Sequence, residues 1–445
     1  MRMKDIRLSD HFTCRRLLRF TLPSVLMMIF TSAYIIVDGF FVSNFAGKTP
    51  FAAVNFIMPF LIVLGALGFM LGTGGSALMA VTLGEGDRDK ARRQFSLFVY
   101  VTAVAGVALA VGGIALLRPV AAWLGAEGEL LEQCVLYGRI ILIALPAYML
   151  QNEFQCYFAV AEKPKLGLAF TVASGLTNIV LDMLLVGVWH GGLAGAAAAS
   201  VISQAVGGLG PLVYFARPGG SLLRLTSARL DLRALGKACA NGSSELMSNI
   251  SASVVGMLYN AQLMRFAGED GVAAYGVLMY VNMIFMAAFV GYSVGAAPIV
   301  GYHCGAGNTR ELRSLLRKSL GIILLCSLAM CALAEGTGGF LAALFAGYDP
   351  ALLALTRRGF LIYSISFLFA GIPVYGASFF TALNNGGVSA LIAFLRTCLF
   401  QAAAVLILPI FWGIDGIWFA SVAAELLAVG VTLLCLGKNR ARYRY

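Results

Sequence analysis

Long apolar stretches alternate with short polar segments along the whole chain. Twelve of these stretches are long enough to cross a bilayer as a helix, which takes about 20 residues. No ~10-residue segments of alternating polarity, as in a membrane β-barrel, are found. The pattern therefore predicts an all-α membrane protein with twelve transmembrane helices. The predicted spans are residues 16–45, 51–83, 93–117, 129–160, 166–188, 193–215, 237–267, 272–302, 314–334, 352–383, 387–411 and 414–436.

Several spans contain proline, which removes a helical hydrogen bond and predicts a kink. These prolines are Pro23, Pro59, Pro146, Pro298 and Pro373. Pro23 is the predicted hinge, because a bend there could move Asp38 when the protonation of that carboxylate changes.

The composition also indicates a membrane protein. Hydrophobic residues make up 60% of the chain and charged residues 12%, whereas soluble domains carry about 25% charged residues. The basic N-terminus precedes an apolar run too long for a signal peptide, so the first helix is expected to be retained. The nine cysteines form no CxxC pair, and no HxxxH motif or Cys/His cluster occurs. We therefore expect no enzyme, no cofactor and no metal site beyond a possible Na⁺.

Basic residues lie mostly on one side of the predicted spans. With the N-terminus in the cytoplasm, the cytoplasmic segments contain 26 of the 32 Lys and Arg residues, and the outer segments contain five. This asymmetry predicts a multi-pass protein of the plasma (inner) membrane with both termini in the cytoplasm. Most of the net charge of +11 then comes from basic residues that set the orientation of the protein in the membrane. We expect contact with the lipid bilayer, no nucleic-acid partner, and a monomer.

The chain repeats itself at a constant offset of half its length. The stretch FAGKTPFAAV at residue 45 matches FAGEDGVAAY at residue 266, and LGEGDRDKARR at residue 83 aligns with CGAGNTRELRS at residue 304. The same offset, which we name the repeat offset, relates Ser200 to Ser421. The predicted parts are a cytoplasmic segment (1–15), an N-lobe (16–215), a cytoplasmic linker (216–236), a C-lobe (237–436) and a basic tail (437–445).

Each lobe holds an even number of spans, so the two lobes have the same orientation and form parallel repeats. Such lobes meet at a central cleft that rocking exposes to each side in turn, as in secondary transporters. No GxxxxGK[ST] motif is present, so any energy must come from an ion gradient. The alternative is a duplicated scaffold or receptor without transport activity.

Carboxylates inside the membrane are costly unless they are paired, protonated or hydrated, so each is a candidate functional group. Asp38, Asp182 and Ser200 each lie about 10 Å inside the outer ends of their spans. Asn178 shares a helix face with Asp182, and Thr31 lies two turns deeper than Asp38. Such a cluster can hold Na⁺ or can carry a proton, and the sequence does not distinguish them. Alternatively, these groups only hydrogen-bond neighbouring helices.

The C-lobe contains two further acidic residues within spans. Glu245 and Glu425 can each meet a cationic substrate or pair with Arg396, and both arrangements remain open. Tyr259 occupies the position that the repeat relates to Asp38. The other candidates for a soft, apolar substrate cavity are Tyr34, Met257 and Met283.

These motifs resemble the multidrug and toxic compound extrusion (MATE) family over residues 12–436. IIVDGFFVSNFAG (35–47) resembles the first-helix signature with its acidic residue, and Pro23 stands where the family bends. SGLTNIVLDMLLV (174–186) resembles the Asn-x-x-x-Asp pair of the fifth helix, and Ser200 falls where a hydroxyl completes the N-lobe cation site. LGEGD (83–87) and CGAGN (304–308) resemble the paired loop glycines.

The resemblance implies an antiporter that exports small cationic, amphipathic compounds in exchange for Na⁺ or H⁺. Some members add a second ion site in the C-lobe, from a Glu in helix 7 and an Asp in helix 10. Glu245 matches the first, but predicted span 10 contains no acidic residue. The alternative within the same superfamily is a flippase of lipid-linked oligosaccharides. Its pyrophosphate would require several intramembrane basic residues, and only Arg139 and Arg396 are available.

Overall fold

The computed structural model describes residues 6–217, 219, 221–346 and 349–445. Residues 1–5 of the predicted cytoplasmic segment and residues 218 and 220 of the predicted linker lie outside the described residues. Fourteen α-helices form the described part of the chain. They are α1 (Cys14–Phe41), α2 (Lys48–Gly84), α3 (Arg88–Trp123), α4 (Gly128–Ile143), α5 (Leu145–Val160), α6 (Pro164–Leu181), α7 (Gly192–Ala216), α8 (Leu232–Gly305), α9 (Thr309–Ala346), α10 (Pro350–Tyr363), α11 (Ser366–Ala382), α12 (Gly386–Phe394), α13 (Gln401–Trp412) and α14 (Ile414–Tyr443).

Short π-helical turns continue three of these helices. They cover Val42–Ala46 after α1, Asp182–Val188 after α6, and Leu395–Phe400 between α12 and α13. A π-turn inserts one extra residue into a helix and is frequent at functional sites. The second of these turns begins at a predicted site residue, Asp182.

The prediction of twelve transmembrane helices is confirmed. Among the described residues, nine helices are long and apolar enough to cross a membrane, and two bent pairs, α4–α5 and α10–α11, raise the total to eleven. The 74-residue α8 supplies the twelfth span, because its backbone is non-helical at Gly268, where two helices meet. We refer to its parts before and after Gly268 as the first and second arms of α8.

Several helices extend beyond the predicted span ends, and α8 and α14 illustrate the causes. α8 begins at Leu232 rather than 237, because the Asp231 carboxylate accepts the backbone N–H groups of Arg233 and Ala234 and caps the helix. α14 runs to Tyr443, through most of the predicted basic tail. Arg440 and Arg442 lie in its last turn, where a positive charge favours the helix dipole.

The sharpest bends lie in the fourth and tenth spans. The axes of α4 and α5 differ by 56°, and Pro146 is in the first turn of α5, where its missing N–H group costs nothing. α10 and α11 differ by 49°, but Pro373 lies inside α11, away from this bend. α1 is one continuous helix through Pro23. The role of Pro23 as a hinge stays a prediction.

The internal repeat is visible in the backbone. α3 begins after Asp87 and α9 after Asn308, and each of these side chains caps its helix by accepting an N–H group three residues later. Left-handed glycines also recur at the repeat offset. The pairs are Gly47 and Gly268 (φ 104° and 62°), Gly86 and Gly307 (92° and 66°), and Gly192 and Gly413 (55° and 57°).

Both described ends of the chain lie on one side of the helix bundle, which we name the terminal side. The N–H group of Phe12 donates to Glu311 at the start of α9 (2.9 Å), and Arg313 donates to the carbonyl oxygen of Arg444 (3.4 Å). The opposite side is the far side. The N-lobe (α1–α7) and the C-lobe (α8–α14) contact each other mainly through α1, α2 and α8.

Glycines bring the backbones of the two lobes together on the terminal side. A Cβ atom on Gly84 would collide with the carbonyl oxygen of Tyr302, and one on Gly305 would collide with that of Val81. The repeat offset relates Gly84 to Gly305 and also Val81 to Tyr302, so the two contacts are equivalent. α2 and the second arm of α8 therefore cross at a nearly symmetric point that has no room for side chains.

Candidate functional site

A cavity of about 290 Å³ lies inside the N-lobe, toward the far side. Its polar lining includes three predicted site residues, Asp38 from α1, Asn178 from α6 and Ser200 from α7. Tyr34 and Met283, two predicted cavity residues, also line it. The geometry thus brings together five residues that the sequence placed in one plane or one cavity.

Asp182 lies directly beside this cavity and interacts with the side chain of Asp38. Its side chain has no solvent exposure. Asp182 lies at the junction between α6 and the π-turn, where its N–H group donates to the carbonyl groups of both Asn178 and Ile179. The two acidic side chains, from α1 and from the π-turn after α6, therefore meet within the N-lobe.

The cluster has an excess of hydrogen-bond acceptors. Five buried oxygen atoms have no hydrogen-bond partner among the described residues: Oδ1 of Asp38, Oδ1 of Asn178, both carboxylate oxygens of Asp182, and Oε1 of Gln204. Buried polar atoms are normally paired, because leaving one unpaired costs about 1–3 kcal/mol. The arrangement can be satisfied by a proton on a carboxyl group or by a small cation among the oxygens.

Two members of the cluster carried no strong sequence signal. Tyr137 of α4 lines the cavity and lies near both Asp38 and Asp182. Gln204 of α7 is the repeat counterpart of Glu425, and this relation is the only sequence feature that could have marked it. A tyrosine in an apolar helix looks like a packing residue until the neighbouring helices are placed.

Other predicted residues lie elsewhere. The hydroxyl of Thr31 donates to the carbonyl oxygen of Met27 in its own helix (2.9 Å), so it does not contribute to the cavity lining. Met257 lies on α8 with 57% of its surface exposed. Hydropathy and helical spacing place a residue on a helix, but they do not say which neighbour its face meets.

The C-lobe has no comparable set of unsatisfied oxygens at the equivalent position among the described residues. Tyr259, the counterpart of Asp38, is buried, and its hydroxyl donates to Oε1 of Gln401 (2.7 Å) and contacts Ser421 (3.3 Å). Its ring stacks on Tyr275 at a centroid distance of 5.1 Å. The side chains of Tyr259, Gln401 and Ser421 are neutral and hydrogen-bonded to one another, so the two lobes differ chemically at related positions.

Arg396 pairs with Glu425, which decides one alternative that the sequence left open. Nε of Arg396 lies 2.9 and 3.0 Å from the two carboxylate oxygens, and both side chains are largely buried, with 15% and 7% exposed. Glu425 is therefore occupied by an ion pair rather than open to a substrate. Glu245 lies within electrostatic range of Arg396 and of Cys156 in the N-lobe.

We expect Glu425→Gln to destabilise the protein by about 3–5 kcal/mol, because it leaves a buried guanidinium without its counter-charge. Thermal unfolding in detergent would measure this loss. Adding Arg396→Gln should recover most of it. As a matched control, Glu132→Gln breaks the exposed pair with Arg118 (2.6 Å) and should cost no more than about 1 kcal/mol. Equal losses in the two single variants would contradict the prediction.

Comparison with known proteins places this architecture in a family. The MatE family profile matches residues 23–184 and again residues 246–407, once in each lobe. The chain is 24% identical to the multidrug export protein MepA of Staphylococcus haemolyticus over 380 residues, which cover 83% of each chain. It is 22% identical to MepA of Staphylococcus aureus strain N315, over 94% of this chain and 93% of the relative.

Solved structures share the fold. A MATE crystal structure in complex with MaL6 superposes with a TM-score of 0.94 at 20% sequence identity, over 99% of both chains. An outward-facing multidrug resistance MATE transporter of the MOP superfamily superposes with a TM-score of 0.93, also at 20% identity and over 99% of both chains. Because the family profile matches more than half of the sequence, once in each repeat, the chain belongs to the MATE family of membrane transporters, which are not enzymes.

Proposed function

We propose that this protein exports small cationic, amphipathic compounds, including drugs, in exchange for Na⁺ or H⁺. The multidrug export activity named for its MepA relatives supports the export of drugs. The observation that carries the coupling is the group of five unpartnered oxygens around Asp38 and Asp182. The described C-lobe residues contain no comparable group of unpartnered oxygens around Tyr259.

The coupling follows from the energetics of this cluster. Two adjacent carboxylates repel each other, so the pair favours uptake of one positive charge. Asp38 belongs to α1, which contacts α8 of the other lobe, whereas Asp182 begins the π-turn that continues α6. A cation shared between them therefore ties α1 to α6. Gain or loss of that cation would change the relative energies of the inward-facing and outward-facing states.

We further propose that the terminal side faces the cytoplasm, as the distribution of basic residues predicts. The close backbone crossing at Gly84 and Gly305 is then the cytoplasmic closure of an outward-facing state. Substrates would enter the cleft between the lobes after this closure opens. We expect a monomer to be sufficient, because each chain contains both lobes.

A cationic substrate suits the lining of the N-lobe cavity. One carboxylate, Asp38, stands among aromatic and thioether side chains such as Tyr34, Met58 and Met283. Aromatic faces and polarizable sulfur atoms bind varied organic cations. The flippase alternative is disfavoured, because Arg396 is already paired with Glu425 and few intramembrane cations remain for a pyrophosphate.

The test is efflux of a fluorescent organic cation from proteoliposomes under an imposed Na⁺ gradient or an imposed pH gradient. We expect transport to follow one of the two gradients and to stop when that gradient is collapsed. The same vesicles without protein measure the leak. Transport that persists equally without any gradient would contradict ion coupling, and no transport of any organic cation would contradict the export function.

A further inference from the structure

A groove of about 470 Å³ lies at the terminal side of the N-lobe, between α1, the α5–α6 turn and the end of α7. We name it the basic groove. Its rim carries Arg19, Lys163 and Lys165, and its wall contains Phe20, Pro23 and Tyr214. The lining therefore combines cationic side chains with aromatic and aliphatic surface.

One acidic residue, Glu162, lines the basic groove among the described residues. Its carboxylate accepts the backbone N–H group of Leu8 at 2.6 Å. Burial raises the pKa of Glu162, whereas this hydrogen bond and the nearby Arg7 and Arg88 lower it. The described lining therefore contains more basic than acidic side chains.

The apolar wall continues onto a surface that suits lipid. Leu18, Leu22 and Leu26 follow one another at four-residue spacing on α1, and each is 44–52% exposed. Residues four apart lie on one helix face, so they form an apolar strip beside the groove. A molecule with an anionic head and apolar chains could place its head at the rim and its chains along α1.

The internal repeat distinguishes this groove from the general basic character of the terminal side. Glu162 (φ 60°) and Asn384 (φ 56°) are the left-handed residues that precede α6 and α12, so they occupy equivalent positions. On this alignment Lys163 and Lys165 correspond to Asn385 and Gly387, and the repeat offset relates Arg19 to Ala240. All three basic residues are replaced in the C-lobe.

The equivalent turn of the C-lobe also lines a pocket, but its own residues are not basic. Asn385 caps α12 by accepting the N–H group of Val388 (3.4 Å), whereas α6 begins without a side-chain cap. The Gly386 N–H group donates to Oδ1 of Asn241 (3.1 Å). The basic residues of that pocket come from α3 and α8, and the acidic residues Glu85 and Asp231 accompany them. The fold therefore does not require basic residues in the turn itself.

We propose that the basic groove binds the phosphate headgroup of an anionic phospholipid, with its acyl chains along α1 beside Pro23. Basic pockets between transmembrane helices are suited to such headgroups. The headgroup would contact Lys163 and Lys165 at the start of α6, beside α1. Bound lipid then restrains the terminal-side half of α1 relative to α6 and α7.

The test is lipid binding, which does not depend on the proposed ion coupling. The full chain is delipidated in detergent and titrated with phosphatidylglycerol or phosphatidylcholine, and native mass spectrometry counts the bound lipids. We expect one phosphatidylglycerol to bind tightly and phosphatidylcholine to bind weakly. Lys163→Gln combined with Lys165→Gln should weaken the phosphatidylglycerol site about 30-fold, since each basic residue near a membrane surface contributes roughly 1 kcal/mol.

The matched control is Arg233→Gln combined with Lys237→Gln, which removes the same charge from a terminal-side pocket that also contains Glu85 and Asp231. It should leave the tight site within about threefold of the unchanged protein. Equal weakening by both double variants would overturn the proposal and indicate non-specific attraction.

Two further measurements cover the other outcomes. Lys165 is exposed, so Lys165→Glu should fold and lose the tight lipid, whereas Lys165→Arg should keep it. Inorganic phosphate should compete poorly, because it gains nothing from the apolar wall. Displacement of the lipid by phosphate at similar concentration would overturn the lipid assignment and identify a site for a soluble anion.

Discussion

Asp38→Asn is expected to abolish gradient-driven efflux in proteoliposomes, with a loss of tenfold or more, about the size of typical coupling energies. The amide keeps the shape of the side chain but removes the negative charge that attracts the cation. The adjacent Asp182 then has no like-charged neighbour, so the pair attracts a proton or Na⁺ less strongly. Efflux under the effective gradient, compared with the unchanged protein at equal density, measures the result.

The thermal stability of Asp38→Asn should increase or remain unchanged, although transport is lost. Removing one of two buried, adjacent carboxylates relieves their repulsion, so thermal unfolding of Asp38→Asn should occur at the same or a higher temperature. A loss of transport with retained stability separates a functional role from a structural one. Strong destabilisation would indicate that Asp38 mainly holds neighbouring helices together.

The two acidic residues should also behave as a unit. Asp182→Asn alone should lose about as much coupled transport as Asp38→Asn, and the double variant should lose little more. Asp270→Asn, at an exposed carboxylate on the second arm of α8, is the matched control and should transport normally. Additive losses in the double variant would mean that the two carboxylates act at separate steps.

Gly84→Ala and Gly305→Ala are each expected to prevent full closure of the terminal side. A new methyl group would collide with a backbone carbonyl group of the other lobe, and backbone cannot move aside as a flexible side chain can. Overpacking of this kind costs about 1–3 kcal/mol. That cost would shift the equilibrium between the two conformations about 5-fold to 150-fold away from the terminal-side-closed state.

Spin labels at Asp89 and Arg310, in a background without the nine native cysteines, would report the distance between the lobes on the terminal side. Both positions are exposed. The mean distance should increase in the two glycine variants. Gly236→Ala and Gly321→Ala are matched controls, because a Cβ atom there meets no other atom within 4 Å. An unchanged distance distribution in Gly84→Ala would show that the crossing is not a conformational lock.

The spans and the repeat could be predicted because they follow from the sequence without knowledge of the tertiary arrangement. Transfer of apolar residues into lipid depends on composition within one segment. The cap at Asp231 was not predicted, although it depends only on residues two and three positions away. The repeat offset pairs Gly86 with Gly307, and both glycines have a left-handed backbone. The bend before Pro146 also has a local cause, because proline lacks the backbone N–H group of a regular helix.

The pairing of side chains across helices depended on the folded arrangement. The sequence placed Asp38, Asp182 and Ser200 at similar depths and Asn178 on the same helix face as Asp182, and the structure brings these four together.

The same reasoning omitted Tyr137 and Gln204 and placed Thr31 with the cluster, although Thr31 bonds to its own helix. It also left the partner of Arg396 open. Depth in the membrane follows from counting residues, whereas the rotation and tilt of each helix follow from packing against all its neighbours.

The crossing at Gly84 and Gly305 also has one feature that the sequence predicts and one that only the folded structure shows. The repeat alone was enough to establish that Gly84 and Gly305 are equivalent. That each of them meets a carbonyl group of the opposite lobe became evident only in the folded protein. Close backbone approach depends on how two whole lobes are arranged, and no local pattern of residues carries that information.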